Sequence, residues 1–294
     1  MGRFKCWISR GWLFLIVGLL GGVAAHADAP VWAIKGSKNT VYLAGSVHLM
    51  RAADAKLPAA FNKAYSDASA LVMEIDMDDL DPMQAQSWMV ENGLYGDDGS
   101  LSQTLGKARF EKVERQTSAL GIPAEAVDRF KPWMAAMTLA QLQLMKLGFD
   151  AESGVEKQLQ AYAQSDHKEI TGFETVQEQL GLLDHLSTPD QIKFLDLTLE
   201  EMHEMEGETD DLLTAWRNGN AQKLADMLGK EYGVAPGLYS TLVADRNRKW
   251  IPQIEKLLKA DKNYMVVVGT LHIVGKGGLL DLLKADGFGA RQLP

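Results

Sequence analysis

Cysteine is almost missing from this chain: of 294 residues, only Cys6 carries a thiol. It sits in a leader expected to be removed, which would leave the mature protein with neither disulfide nor thiolate metal ligand. Zinc-finger, thiol-protease and thioredoxin-like chemistry is excluded with it, as is a lipid anchor on a cysteine after the apolar run. Positive charge is also scarce, with 30 Lys and Arg against 39 Asp and Glu and a net charge of −9. Losing Arg3, Lys5 and Arg10 with the leader moves that balance to −12. Nucleic-acid phosphates need cationic side chains, so nucleic acid is not an expected partner. The chain has no P-loop and no Gly-x-Gly-x-x-Gly in a strand–turn–helix setting. Gly45-Ser46-Val47-His48 is not the Gly-x-Ser-x-Gly of a nucleophile elbow. No Pro/Ser-rich linker divides the chain.

What is present begins with an export signal. Arg3, Lys5 and Arg10 precede the nine-residue apolar stretch Trp12–Leu20, and Ala25-His26-Ala27 fits a small-x-small cleavage site. A membrane span needs about 20 apolar residues, so a cleaved signal over 1–27 is expected, with no stable membrane anchor afterwards. Export without cysteine points to the periplasm or the cell exterior. Residues 28–294 are long enough for a substantial unstapled core.

Periodicity places the elements. Val31–Ile34 and Val41–Ala44 flank a turn segment and read as a hairpin. Pro58–Ala68 reads as a helix, and Ala70–Asp76 as a strand covered on both faces. Residues 101 to about 145 are helical, broken at Gly121-Ile122-Pro123 and restarted at Lys131-Pro132. Val155–Gln164 is a helix, Lys168–Phe173 a short strand, and Thr175–Leu183 a helix. Residues 188–230 are helical and acidic. Within them Glu200–Glu206 reads as a solvated face, because the two-histidine zinc helix would need histidine where Gly207 stands. Leu242–Leu258 is a helix, Met265–Val268 the last long strand, and Gly278–Lys284 a helix. The expectation is an α/β domain of two related halves. Its central mixed sheet joins the first and last thirds of the chain, with a helical insertion at roughly 101–230.

One phrase occurs twice: Gly45-Ser46-Val47-His48 and Gly269-Thr270-Leu271-His272, each after an apolar strand. Glycine turns deliver such residues to a sheet rim, where ligands bind in open α/β folds. His48 and His272 are therefore expected in one site, with Ser46 and Thr270 shaping the turns. Glu74, closing the neighbouring strand, adds a carboxylate. Two imidazoles and one carboxylate suit a divalent ion with open positions, and zinc, manganese and cobalt are all compatible. Glu174 is either a helix-start acid, a fourth ligand or a general base. Arg246 and Asn247 are either a charged helix face or a grip on a carboxylate or oxyanion. Replacing either histidine is expected to leave the fold largely intact. Gly275-Lys276-Gly277-Gly278 is either a flexible loop or an anion cradle.

Together these phrases resemble the TraB/GumN family, which includes the Tiki metalloproteases and the pheromone-shutdown proteins. The resemblance is carried by Val41–Leu49, Leu71–Glu74, Gly172–Gln179, Trp216–Gly219, Arg246-Asn247 and Val267–Gly275. It spans about Val31 to the C-terminus. It implies a fold like that of the erythromycin esterase and ChaN-like proteins. It also implies metal positions at His48, Glu74 and His272, and further characteristic polar positions at Glu174, Arg246 and Asn247. The implied activity is that of an exported, divalent-metal-dependent hydrolase, a peptidase on peptide or protein segments. The rival expectation is a non-catalytic periplasmic protein binding peptide, haem or metal in the same cleft. A homodimer is compatible with both.

Overall fold

The computed structural model describes residues 29–79 and 81–294, without the side chains of 228 and 230–234. The expected export signal lies outside the described residues. Among those described, no helix is long and apolar enough to cross a membrane.

Six strands form one mixed sheet: β1 (Val31–Lys35), β2 (Thr40–Ser46), β3 (Ala70–Ile75), β4 (Glu169–Glu174), β5 (Tyr264–Gly269) and β6 (Ala290–Gln292), in the order β4-β3-β5-β2-β1-β6. The first four in that order are parallel, and β1 pairs antiparallel with both β2 and β6. The apolar runs explain the arrangement. Val266, Val267, Val268, Leu71 and Leu43 are all at 0 % exposure, as befits parallel strands covered on both faces. The first and last thirds of the chain therefore share one sheet, and the 101–230 segment adds β4 to its edge.

The expected elements are present with small shifts at their ends. Pro132–Lys146 starts at the Lys131-Pro132 restart, and Lys107–Leu120 ends where Gly121 turns left-handed. Thr175 caps Val176–Asp184 through a reciprocal bond with Glu178. The acidic run 200–206 straddles the break between Thr188–Glu201 and Met205–Arg217. Several short turns and two further elements were not expected. Pro82–Gly93 is a helix capped by Asp81, but Gly93 is its buried residue, so its apolar signature is thin. Strand β6 is three residues long and exists through its pairing with β1.

Apolar side chains gather in three clusters. The largest surrounds the sheet and takes Phe61, Leu159, Trp216, Trp250 and Ile254 from flanking helices. Trp216 packs on Phe61 with ring centroids 5.6 Å apart and donates to the Gly45 carbonyl at 2.7 Å, pinning the end of β2. A second cluster, with Leu105, Val113, Leu139, Leu195 and Leu199, belongs to the helical segment, and a small third one surrounds Trp133. The Met-rich helix after Lys131 is core over its first half, Pro132–Ala136 and Leu139, while Met145 near its end is exposed.

Candidate functional site

Four parallel strands end on the same side of the sheet, and each delivers polar residues there. His48 lies two residues beyond β2, Glu74 is the penultimate residue of β3, Glu174 is the last of β4, and β5 ends at Gly269. The strands β2 and β5 are neighbours, with Ser46 opposite Gly269. Thr270 Oγ1 donates to the Ser46 carbonyl at 2.9 Å, so the Thr270 hydroxyl ties the two turns together. After the strands the paired phrases diverge. Residues 270–273 coil into a helical turn that buries His272 at 4 % exposure, whereas His48 stands in an open loop with a 60 % exposed side chain.

The convergence point is Gly269. A methyl placed there would lie 3.3 Å from Glu74 Oε1, 3.4 Å from His48 Nε2 and 3.8 Å from His272 Cδ2. The Gly269 N–H donates to Glu74 Oε1 at 2.7 Å, and His272 Nε2 lies 3.9 Å from the same oxygen. His272 Nδ1 is hydrogen-bonded to Asn247 Oδ1 at 2.7 Å, and His48 Nδ1 lies 2.7 Å from Glu156 Oε1 as an ion-pair contact. Asn247, fully buried, spends its amide on the carbonyls of His272 and Gly277. The 275–278 glycine loop thus supports Asn247, and its Gly277 N–H is taken by Asp281.

Arg246 lies at the centre. Its Nε meets Glu174, its Nη2 meets Glu74 at 2.6 Å and Glu174 at 2.9 Å, and its Nη1 reaches His272 Nε2 at 2.9 Å and the Leu242 carbonyl at 3.1 Å. Every face of the guanidinium is bonded to protein. Glu174 is engaged as fully, by Arg246 and by Trp250 Nε1 at 3.1 Å. Trp250 in turn stacks on Phe173 and tilts against the His272 ring, with centroids 4.5 Å apart. The π-helical turn Ser240–Ala244 precedes Arg246, as such turns often do at functional sites.

Electrostatics follow from burial. Desolvation pushes the His272 imidazole down to about 3, aided by Arg246 and His48 and opposed by Glu74. Burial would push Glu74 up, but His272, His48, Arg246 and the Gly269 N–H hold it down at about 2. Because His272 is neutral at pH 7, Arg246 and the Gly269 N–H carry that effect there among the buried groups. Glu156 raises His48 to about 9. Burial pushes Glu156 up, yet the facing His48 imidazole brings it below the usual carboxylate range.

A cleft of about 230 Å³ opens beside these groups. Its polar wall is His48, Glu74, Glu156 and Gln179, with Lys157 beside them. Its apolar wall is Met73, Ile75, Met77 and Ala151. Gln179 donates to Glu74 Oε2 at 2.9 Å. Glu74, Glu174, Arg246, Asn247 and His272 therefore lie in one bonded network. His48 stands beside it at Gly269 with Glu156 as its ion-pair partner, and His48 and Glu74 are the two of the six that line the cleft. Among the described residues, no group of three or more His, Cys, Asp or Glu side chains is already arranged as a metal cage. The Arg246 guanidinium bonds to both Glu74 and His272 instead. Sequence reasoning passed over Glu156, Gln179 and Trp250. Gln179 stood in a phrase noted for resemblance alone, and Glu156 looks like an ordinary first-turn acid.

The fold and this edge define a class: an α/β protein with an imidazole–carboxylate–guanidinium network at the carboxyl ends of parallel strands. The particular family follows from comparison. A model of the TraB/PrgY/gumN family matches residues 30–292, and the chain belongs to that family. It is similar to the uncharacterized protein YbaP of Escherichia coli (strain K12), with 27 % identity over 83 % of this chain and 87 % of the relative. YbaP of Shigella flexneri matches equally. An uncharacterized protein of Treponema pallidum (strain Nichols) is 23 % identical over 60 % of this chain and 53 % of its own length. No solved structure matches.

Proposed function

We propose that this protein is an exported, divalent-metal-dependent hydrolase that cuts peptide bonds in peptide or protein segments held in the cleft. The observation that carries this reading is the gathering of His48 Nε2, His272 and Glu74 around Gly269, with both Nδ1 atoms tethered elsewhere. Tethering Nδ1 to an acceptor leaves Nε2 as the inward donor atom, the arrangement usual for metal-binding histidines. The donor set suits zinc, manganese or cobalt, and His48, Glu74 and His272 would hold the ion. Loading requires the Arg246–His272 bond to open, and Glu174 remains available to keep the guanidinium paired. When bound, such an ion lowers the pKa of water and polarises a carbonyl.

In this reading the chain's own groups have separate tasks. Arg246 neutralises the two buried glutamates, Glu74 and Glu174. Asn247 fixes the His272 ring, and Gln179 fixes Glu74. The apolar wall of Met73, Ile75 and Met77 shelters the cleft from water and offers adaptable contact to an apolar side chain. Export, supported by the pattern of residues 1–27, would place this chemistry in the periplasm or outside the cell.

The test is metal analysis of the purified protein, followed by mass spectrometry of a peptide mixture incubated with Zn²⁺, Mn²⁺ or Co²⁺, and with chelator. Products that appear with metal and vanish with chelator or with a His48→Ala/His272→Ala variant are expected. Intact peptides under every condition would overturn hydrolysis, and tight peptide retention beside them would favour the binding-protein reading.

A further inference from the structure

We propose that Glu156 is the positioning residue of His48: its carboxylate grips Nδ1 and so turns Nε2 toward Glu74 and His272. What Nε2 then does rests on the function proposed above, but how the ring is held does not.

The grip is built from two chain segments far apart in sequence. Glu156 Oε1 lies 2.7 Å from His48 Nδ1, and the Glu156 side chain is 13 % exposed while the ring it holds is open to the cleft. The backbones on either side are stapled together. Val155 N donates to the Val47 carbonyl at 3.1 Å, and Met50 and Asp150 exchange bonds at 3.1 and 3.0 Å. Gly154 allows a close approach, for a Cβ there would collide with the His48 carbonyl oxygen. An incidental surface ion pair has no such frame. It joins two mobile side chains, whereas here the start of a twelve-residue helix is locked against the histidine loop.

The partner histidine supports the assignment. His272 is held through the same ring atom by Asn247 Oδ1, a buried acceptor on another helix. Two imidazoles from different segments each face an acceptor at Nδ1, His272 through a hydrogen bond and His48 through a 2.7 Å ion-pair contact, and both approach Gly269. Tethering a freely turning exposed ring removes rotamers that point Nε2 away from the site.

The test uses the purified protein, Zn²⁺ titration calorimetry, and long-range ¹H–¹⁵N spectra of the histidine rings. Glu156→Ala, Glu156→Gln and the exposed neighbour Glu152→Gln are compared, with circular dichroism and backbone amide spectra as fold checks. Glu156→Gln keeps the side chain's size and an oxygen facing Nδ1 while removing the charge, so that variant is expected to retain the fold and part of the contact. Glu156→Ala is expected to change the His48 ring signals and weaken Zn²⁺ binding by about 10–100-fold. Glu156→Gln falls between, and Glu152→Gln matches the parent. Unchanged His48 signals and parental Zn²⁺ affinity in Glu156→Ala would overturn the proposal. Should the parent bind no Zn²⁺, the metal reading fails, and the ring signals alone decide: a shift confined to the Glu156 variants upholds positioning, and none refutes it.

Discussion

At the scale of single residues, the two histidines are alike in sequence and unlike in exposure. His48 is exposed but faces the largely buried Glu156, so His48→Ala leaves that carboxylate without its partner and is expected to cost about 1–3 kcal/mol in urea unfolding. His272 is buried and bonded to Asn247 and Arg246. Its loss strands those groups at about 1–3 kcal/mol each, so His272→Ala should lower the urea midpoint markedly. Both replacements are therefore expected to lower stability, that of His272 more than that of His48. Arg246→Ala leaves Glu74 and Glu174 as buried charges without their shared partner, and a loss of about 3–5 kcal/mol is expected by the same measurement.

At the scale of elements, the decisive feature is where parallel strands stop. The edge of β5 places Gly269 against three polar side chains. Its φ of −47° lies in the ordinary negative range, so Gly269→Ala carries no backbone strain, only the methyl. That methyl intrudes among Glu74, His48 and His272. The variant is expected to fold with a melting temperature within a few degrees of the parent and to lose Zn²⁺ binding, read by differential scanning fluorimetry and calorimetry. The same edge sets acid sensitivity. Unfolded, His272 binds a proton below about 6.5; folded, it resists protonation to about 3. The unfolded state thus holds more protons between those values, and stability falls as pH drops through the window. Glu74, held down at about 2, adds to the loss below its ordinary value near 4.5. Urea unfolding of the metal-free protein from pH 7 to 3 should show this decline, with a shallower slope in His272→Gln.

At the scale of the whole molecule, the separate cores predict separate stabilities. Strands β2, β3 and β5 sit inside the largest cluster, while Leu105, Val113, Leu195 and Leu199 close a smaller one in the helical segment. Native-state hydrogen exchange is expected to show β2, β3 and β5 amides opening only with global unfolding. Amides of Lys107–Leu120 and Thr188–Glu201 should open at lower free energy. Equal opening energies across both regions would contradict that division. The site itself draws on five regions of the chain, around residues 48, 74, 156, 174–179 and 246–272. Two of those regions, 156 and 174–179, belong to the 101–230 segment, so loosening it should disturb Glu156, Glu174 and Gln179 while leaving Glu74, Arg246, Asn247 and His272 together.

Much of this was written in local pattern. The apolar runs at 41–44, 70–75 and 265–268 specify buried strands, because a strand covered on both faces needs no polar alternation. The repeated glycine–histidine phrase marks strand ends, and these features bring His48, Glu74 and His272 to one rim. Local pattern also carries the helix breaks at Gly121 and Pro132. It does not contain exposure or pairing. That His272 is buried while His48 is open follows from a helical turn after one strand and a loop after the other. That Arg246 is saturated by Glu74, Glu174 and His272, and that Glu156 meets His48 across more than a hundred residues, depends on which segments pack together. Desolvation and long-range hydrogen bonds are properties of assembled neighbours, so only the tertiary structure could decide them.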